Sequence, residues 1–138
     1  MNSSVRSKVA CEIAGLDPQR LNEAIHAGHL MRLPETTAGS ARLFRRDDIV
    51  TLLIYANLLR VFGNQKVAGQ WADLLNGVFR EQEHIEFASM CFDRGGTIYP
   101  MNDQPVHAGA SNGMPAWFTF NIKALREIVS AAMEAADA

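Results

Sequence analysis

Four closely spaced polar positions, Gln19, Arg20, Asn22 and Glu23, have the side chains that read the edges of base pairs. Glutamine and asparagine pair bidentately with adenine, arginine pairs with guanine, and a carboxylate accepts from the cytosine amino group. A second group, Arg42, Arg45 and Arg46, supplies guanidinium forks that match phosphate oxygens. Lys66 follows a Gly63-Asn64 turn and adds a further cation at the start of a helix, where phosphate also binds. Together these eight positions suggest contact with double-stranded DNA, with Gln19 to Glu23 as readers and the cations as phosphate holders.

Other chemistry finds little support in the residues. His26, His29, His84 and His107 are scattered without ligand spacing, so no metal site is expected. Cys11 and Cys91 stand 80 residues apart, with no CxxC pattern, and read as small buried residues in a reducing compartment. No nucleophile–base pair, phosphate-binding glycine loop or carboxylate constellation is present, so neither an enzyme nor a cofactor is expected. Tyr99, Trp117, Phe118 and Phe120 can line a small-molecule effector pocket, but such aromatics more often form core or an oligomer interface.

The elements that must position the first group are legible. Ser7 caps a helix running to Ala14, with Val9, Ala10, Ile13 and Ala14 inward, after a disordered lead over residues 1–5. Gly15-Leu16 makes a turn. Asp17 followed by Pro18 opens a second helix, an oxygen cap and then a residue whose φ suits the first helical position. Leu21, Ala24 and Ile25 face inward and Gly28 ends the helix. His29 to Leu33 reads as a strand, 34–40 as a polar loop, and Ala41 to Phe44 as the returning strand of a hairpin wing. A long helix, Arg46 to Phe62, is apolar nearly all round and is expected to be buried on more than one side. Gly63-Asn64 stops it and caps a short helix from Gln65 to Leu75.

Character changes near Asn76-Gly77. Residues 84–92 have strand composition, Asp93-Arg94-Gly95-Gly96 is a turn, and 97–99 return. Residues 100–115 hold three prolines and two glycines and read as a loop. Residues 117–120 form a third strand. Asn121 caps a final helix striped by Ile122, Leu125, Val129, Ala132 and Met133. The expected fold is α+β: a winged helix-turn-helix over 1–76, then a small β-β-β-α module over 77–138 serving dimerisation or an effector.

The chain has 138 residues, 48% hydrophobic and 20% charged, which is enough apolar material for one or two small cores. It shows no signal-peptide pattern and no apolar run of membrane-spanning length, so a cytoplasmic location without a membrane partner is expected. A net charge of −2 suits DNA poorly until it is divided: residues 1–80 carry +3 and residues 81–138 carry −5.

In the stretches VACEIAGLDPQRLNEAIHAGHL, ARLFRRDDIVTLL and RVFGNQKVAGQWADLL, the first half resembles the MerR-like winged helix-turn-helix, a group that includes excisionase-type proteins. Gly28-His29-Leu30 fills the place of the Gly-Leu pair before the family's wing. Arg42-Leu43-Phe44 corresponds to its Arg-x-Tyr, and Asp47-Asp48-Ile49 to the acidic start of the following helix. The resemblance covers about half the chain and implies a DNA-binding domain. Asn22 stands where the family usually has a phosphate-contacting arginine, and Arg45 replaces the family's capping serine. The long dimer coiled coil of MerR regulators is missing.

The expectation is therefore a sequence-specific transcriptional regulator acting as a homodimer, since one such domain touches few base pairs. Its rivals are a phage-type architectural protein, either an excisionase or a small terminase subunit, and an antitoxin-like protein-interaction module.

Overall fold

A computed structural model describes residues 3–34, 41–102 and 116–137. Two short strands, β1 (Val5–Arg6) and β2 (Leu43–Phe44), bracket the first two helices, α1 (Ser7–Ala14) and α2 (Pro18–His26). The central helices are α3 (Arg46–Phe62) and α4 (Gln65–Phe79). Three strands follow, β3 (Phe87–Phe92), β4 (Ile98–Asn102) and β5 (Ala116–Asn121), and then α5 (Ile122–Asp137). This is a mixed α+β arrangement with small antiparallel sheets.

The organising element is α3. Ile49, Val50, Leu52, Ile54, Tyr55 and Leu58 are all buried, and α1, α4 and α5 pack around them. An all-round apolar sequence is satisfied in this way within one chain. Among the described residues a single buried cluster runs from Val5 to Met133, so apolar side chains of both halves share one core. In the three-stranded sheet the order is β4-β3-β5, with β3 central. One face of this sheet lies against α4, where Trp71 meets Phe92 edge-on at 5.3 Å between ring centroids.

Several sequence expectations hold. Gly15 adopts φ 68° at the end of α1, Asp17 caps α2, Gly63 with φ 66° ends α3, and Asn64 caps α4 through the Val67 N–H at 3.0 Å. Asn121 caps α5 through the Ala124 N–H at 2.9 Å. On the final helix, Ile122, Val129 and Met133 are buried within the chain.

Others are corrected. His29 to Leu33 is bend and irregular backbone, not strand. The N–H groups of Met31 and Arg32 donate to the Asp73 carboxylate at 2.7 and 3.2 Å, which occupies the donors a ladder would need. Strand β2 instead pairs antiparallel with β1, with Val5 opposite Phe44 and Arg6 opposite Leu43, so Val5 is core and not part of a disordered lead. Residues 35–40, the tip of the expected wing, lie outside the described residues, as do residues 103–115 of the expected loop.

Ser7 makes no side-chain cap, since Arg6 holds the capping position. Helix α4 passes through Asn76 and Gly77 to Phe79. Asn76 is buried there and donates to Thr51 Oγ1 at 2.8 Å, a tertiary contact that overrides its turn preference.

Candidate nucleic-acid interface

The outer face of α2 is built from behind. Asp17 Oδ1 accepts the Gln19 N–H at 2.8 Å, and Pro18 follows in the first turn. Leu21 and Ala24 sink into the core, which turns Gln19, Arg20, Asn22, Glu23 and His26 outward. At the other end Gly28 has φ 76°, and the Gly28 and His29 N–H groups donate back to Ile25 and Ala24. This double bond pattern closes a helix C-terminus and requires a residue tolerant of positive φ.

Three tertiary contacts fix the helix in place. Arg60, in the last turn of α3, donates to the Gly15 carbonyl at 3.1 Å and holds the turn between α1 and α2. Asp73 grips Met31 and Arg32 beyond the end of α2, and burial raises its carboxyl above the ordinary range while those backbone N–H groups pull it down. Gly69 lets α4 approach the backbone of His29 so closely that a Cβ there would lie 2.2 Å from the His29 carbonyl oxygen. Sequence reading found none of Arg60, Asp73 or Gly69. Only Gly69 carried a signal: a glycine inside a helix costs about 1 kcal/mol relative to alanine, and close packing is the usual reason to keep one.

The eight sequence-predicted positions divide into separate groups. Arg20 and Glu23 form an exposed ion pair at 3.7 Å, weak enough to exchange for another partner. Asn22, Glu23 and His26 share an open groove with Ser7 and the half-buried Arg42. Arg42 thus joins the α2 face. Arg45 and Arg46 do not: they line a different cleft with Ser3, Arg80, Ser130 and Glu134. Lys66 is exposed in the first turn of α4 and lines neither the groove nor the cleft. Among the described residues no carboxylate pairs with Arg42, Arg45 or Lys66.

Arg46 is already engaged. Its Nη1 and Nη2 donate to the two Glu83 oxygens at 2.9 and 3.1 Å, and its Nε donates to Asp47 at 3.0 Å. The Glu83 bonds raise the Arg46 pKa further, and Arg46 in turn lowers that of Glu83. Asp47 also accepts both Nε and Nη2 of Arg126 at 3.0 and 3.2 Å. Asp48 pairs with Arg80, and its other oxygen accepts the Arg45 N–H at 2.9 Å, serving the start of α3 where no Arg45 side-chain cap forms.

Arg126 is the residue that sequence reading missed most completely. It is 5% exposed and caps the end of α4 by donating to the carbonyls of Phe79, Gln82 and Glu83 at 2.7, 2.8 and 3.1 Å. Its signal was positional: it sits four residues after Ile122 and three before Val129, inside the apolar stripe of α5.

Among the described residues no group of three or more His, Cys, Asp or Glu side chains could hold a metal ion, and no helix is long and apolar enough to cross a membrane. Cys11 and Cys91 are both buried, and burial pushes both thiols up. No family model matches the chain, and no curated protein matches it.

Proposed function

We propose that this protein is a sequence-specific DNA-binding transcriptional regulator acting as a homodimer. In this reading residues 1–76 form a MerR-like winged helix-turn-helix and α2 enters the major groove. The observation that carries the reading is a rigidly seated helix whose exposed face holds Gln19, Arg20, Asn22 and Glu23, with Arg42 across the adjoining groove. Side chains aimed at base edges need that rigidity, because loose readers lose both affinity and discrimination. Arg42 and Lys66, free of carboxylate partners among the described residues, are the cations that hold phosphate. Residues 77–138 join two copies, which sets two reading helices one or more DNA turns apart, about 34 Å per turn.

The test is selection of bound sequences from a random DNA pool, followed by gel shifts of the recovered site at several salt concentrations. The expected result is an inverted repeat bound in a salt-dependent complex. Arg20→Ala weakens that complex by about 1–3 kcal/mol and relaxes one position of each half-site. Recovery of no sequence and no salt-dependent complex would defeat the reading. A protein-interaction module is the second reading, favoured by the Glu23 carboxylate in the middle of the exposed α2 face and by the internal neutralisation of Arg46. It requires that no DNA fragment be retained at low salt.

A further inference from the structure

Strand β5 has the sequence AWFTFN, six residues without a charge, a proline or a glycine. It pairs with β3 on one side, and among the described residues it has no strand on the other. The opposite edge of the sheet, β4, contains Pro100, which lacks an N–H and blunts that edge. Among the described residues the sheet therefore has one protected edge and one open edge.

The direction of the unpaired groups on β5 follows from the register. At the turn the Asp93 N–H donates to the Thr97 carbonyl while the Asp93 carbonyl accepts the Gly96 N–H, so Asp93 and Thr97 hold a bonded position and set the phase of the ladder. Bonded pairs alternate, so Cys91 with Tyr99 and Ser89 with Met101 exchange bonds between β3 and β4. The main-chain groups of Ala88, Met90 and Phe92 then turn the other way, toward Phe120, Phe118 and Ala116 of β5. This leaves the N–H and C=O of Trp117 and Thr119 directed out of the sheet. Beside that edge lies an apolar margin: Phe118 is 38% exposed and meets Phe62, itself 39% exposed, edge-on at 5.3 Å.

We propose that β5 is the self-association edge of this protein, and that β5 of a second copy adds to it antiparallel across a two-fold axis. The assembly is a six-stranded sheet shared by two chains. A second copy fits because the edge is complementary to itself. Antiparallel pairing about a two-fold sets odd positions opposite odd positions, so the outward groups of Trp117 and Thr119 meet their own counterparts. Faces also match: the Phe118 and Phe120 side, which lies against Trp71, continues into the same side of the partner. No like charges are brought together, because the strand has none. The inference specifies the interface for the dimeric part of the proposed function and does not depend on DNA binding.

The experiment is light scattering and sedimentation of the full chain, with Thr119→Pro, Thr119→Lys and Thr119→Val beside it. Thr119→Pro removes an outward N–H, and Thr119→Lys places the charge that blunts natural edges. Thr119→Val removes only the hydroxyl contact with Ser89, 2.8 Å in the parent. Circular dichroism monitors folding, and if the proline variant does not fold the lysine variant decides. The expected result is a dimer at micromolar concentration for the parent and Thr119→Val, with dissociation strengthened by at least about tenfold in Thr119→Lys. A parent dimer unmoved by folded Thr119→Lys overturns the edge pairing and leaves a dimer made elsewhere. A monomeric parent overturns the pairing and the dimeric reading together, and gel shifts on the same samples report DNA binding separately.

Discussion

Replacing Arg126 with methionine removes a buried cation that ties three helices together. Its guanidinium makes two bonds to Asp47 and three to the carbonyls of Phe79, Gln82 and Glu83. Breaking one partner of a buried pair costs about 3–5 kcal/mol, chiefly because the other charge remains buried. Asp47 keeps the Arg46 Nε at 3.0 Å and is itself 15% exposed, so the lower end, about 3 kcal/mol, is expected. Against a total stability of about 5–15 kcal/mol this is a large fraction, and it corresponds to a fall of roughly 10 °C in Tm.

Urea unfolding of Arg126→Met, Asp47→Asn and the double variant measures the pair itself. If the bonds act together, the double variant loses less than the sum of the singles by about 1–3 kcal/mol. Arg126 also joins α5 and the end of α4 to the start of α3, so both halves should unfold in one transition. The tryptophans report this directly, Trp71 on α4 and Trp117 on β5, each observed alone after Trp→Phe replacement of the other. A loss under about 1 kcal/mol for Arg126→Met, additivity within about 0.5 kcal/mol, or two separated tryptophan transitions would refute the reasoning.

Gly69→Ala puts a methyl group into the His29 backbone and should destabilise by about 1–3 kcal/mol, read as a lower Tm, with DNA affinity falling as α2 is displaced. Thr51→Val strands the buried Asn76 amide and should cost about 1–3 kcal/mol in urea unfolding, while Thr51→Val with Asn76→Leu recovers part of it. Arg42→Ala should weaken binding to all DNA sequences alike and flatten the log–log salt slope by about one unit, whereas Arg46→Ala should leave the slope unchanged and alter thermal stability by less than about 1 kcal/mol.

Local punctuation in the sequence was highly legible. Asp17-Pro18, Gly63-Asn64 and Asn121 mark helix starts because each acts through bonds within a few residues, and α3 was bounded correctly by the same means. The strand expected over His29 to Leu33 failed because its outcome was decided 42 residues away. Nothing in His29 to Leu33 announces that Asp73 will take the Met31 and Arg32 donors. Nor does Val5-Arg6 announce that it will replace that segment beside Leu43-Phe44. Of the candidate interface, the α2 residues were legible because helix period alone separates Leu21 and Ala24 from their polar neighbours. The arginines were not, since Arg42, Arg45 and Arg46 are close in sequence but a helix start divides them between two surfaces.

That division changes what the charge segregation means. A +3 first half and a −5 second half look like a basic face and an acidic face, but the two halves meet at a seam. There Arg46 is held by Glu83, and Asp47 by Arg126, so one ion pair crosses the boundary in each direction. Arg80 neutralises Asp48 beside them. Charges paired across a seam contribute little field to a distant phosphate, because each is cancelled within a few ångströms and the remainder is screened over about 10 Å. Under the proposed function, the cations that serve DNA are on the α2 side and at the start of α4: Arg20, whose partner Glu23 is exposed and exchangeable, together with Arg42 and Lys66. The two cross-seam pairs take one charge of each sign from each half and leave the +3 and −5 balances as they were; a protein with an overall charge of −2 can still present such a face because a phosphate responds to the local field and not to net charge. The same pairs bind the C-terminal module to the base of α3, so the electrostatics that isolate the proposed reading face also hold the fold together.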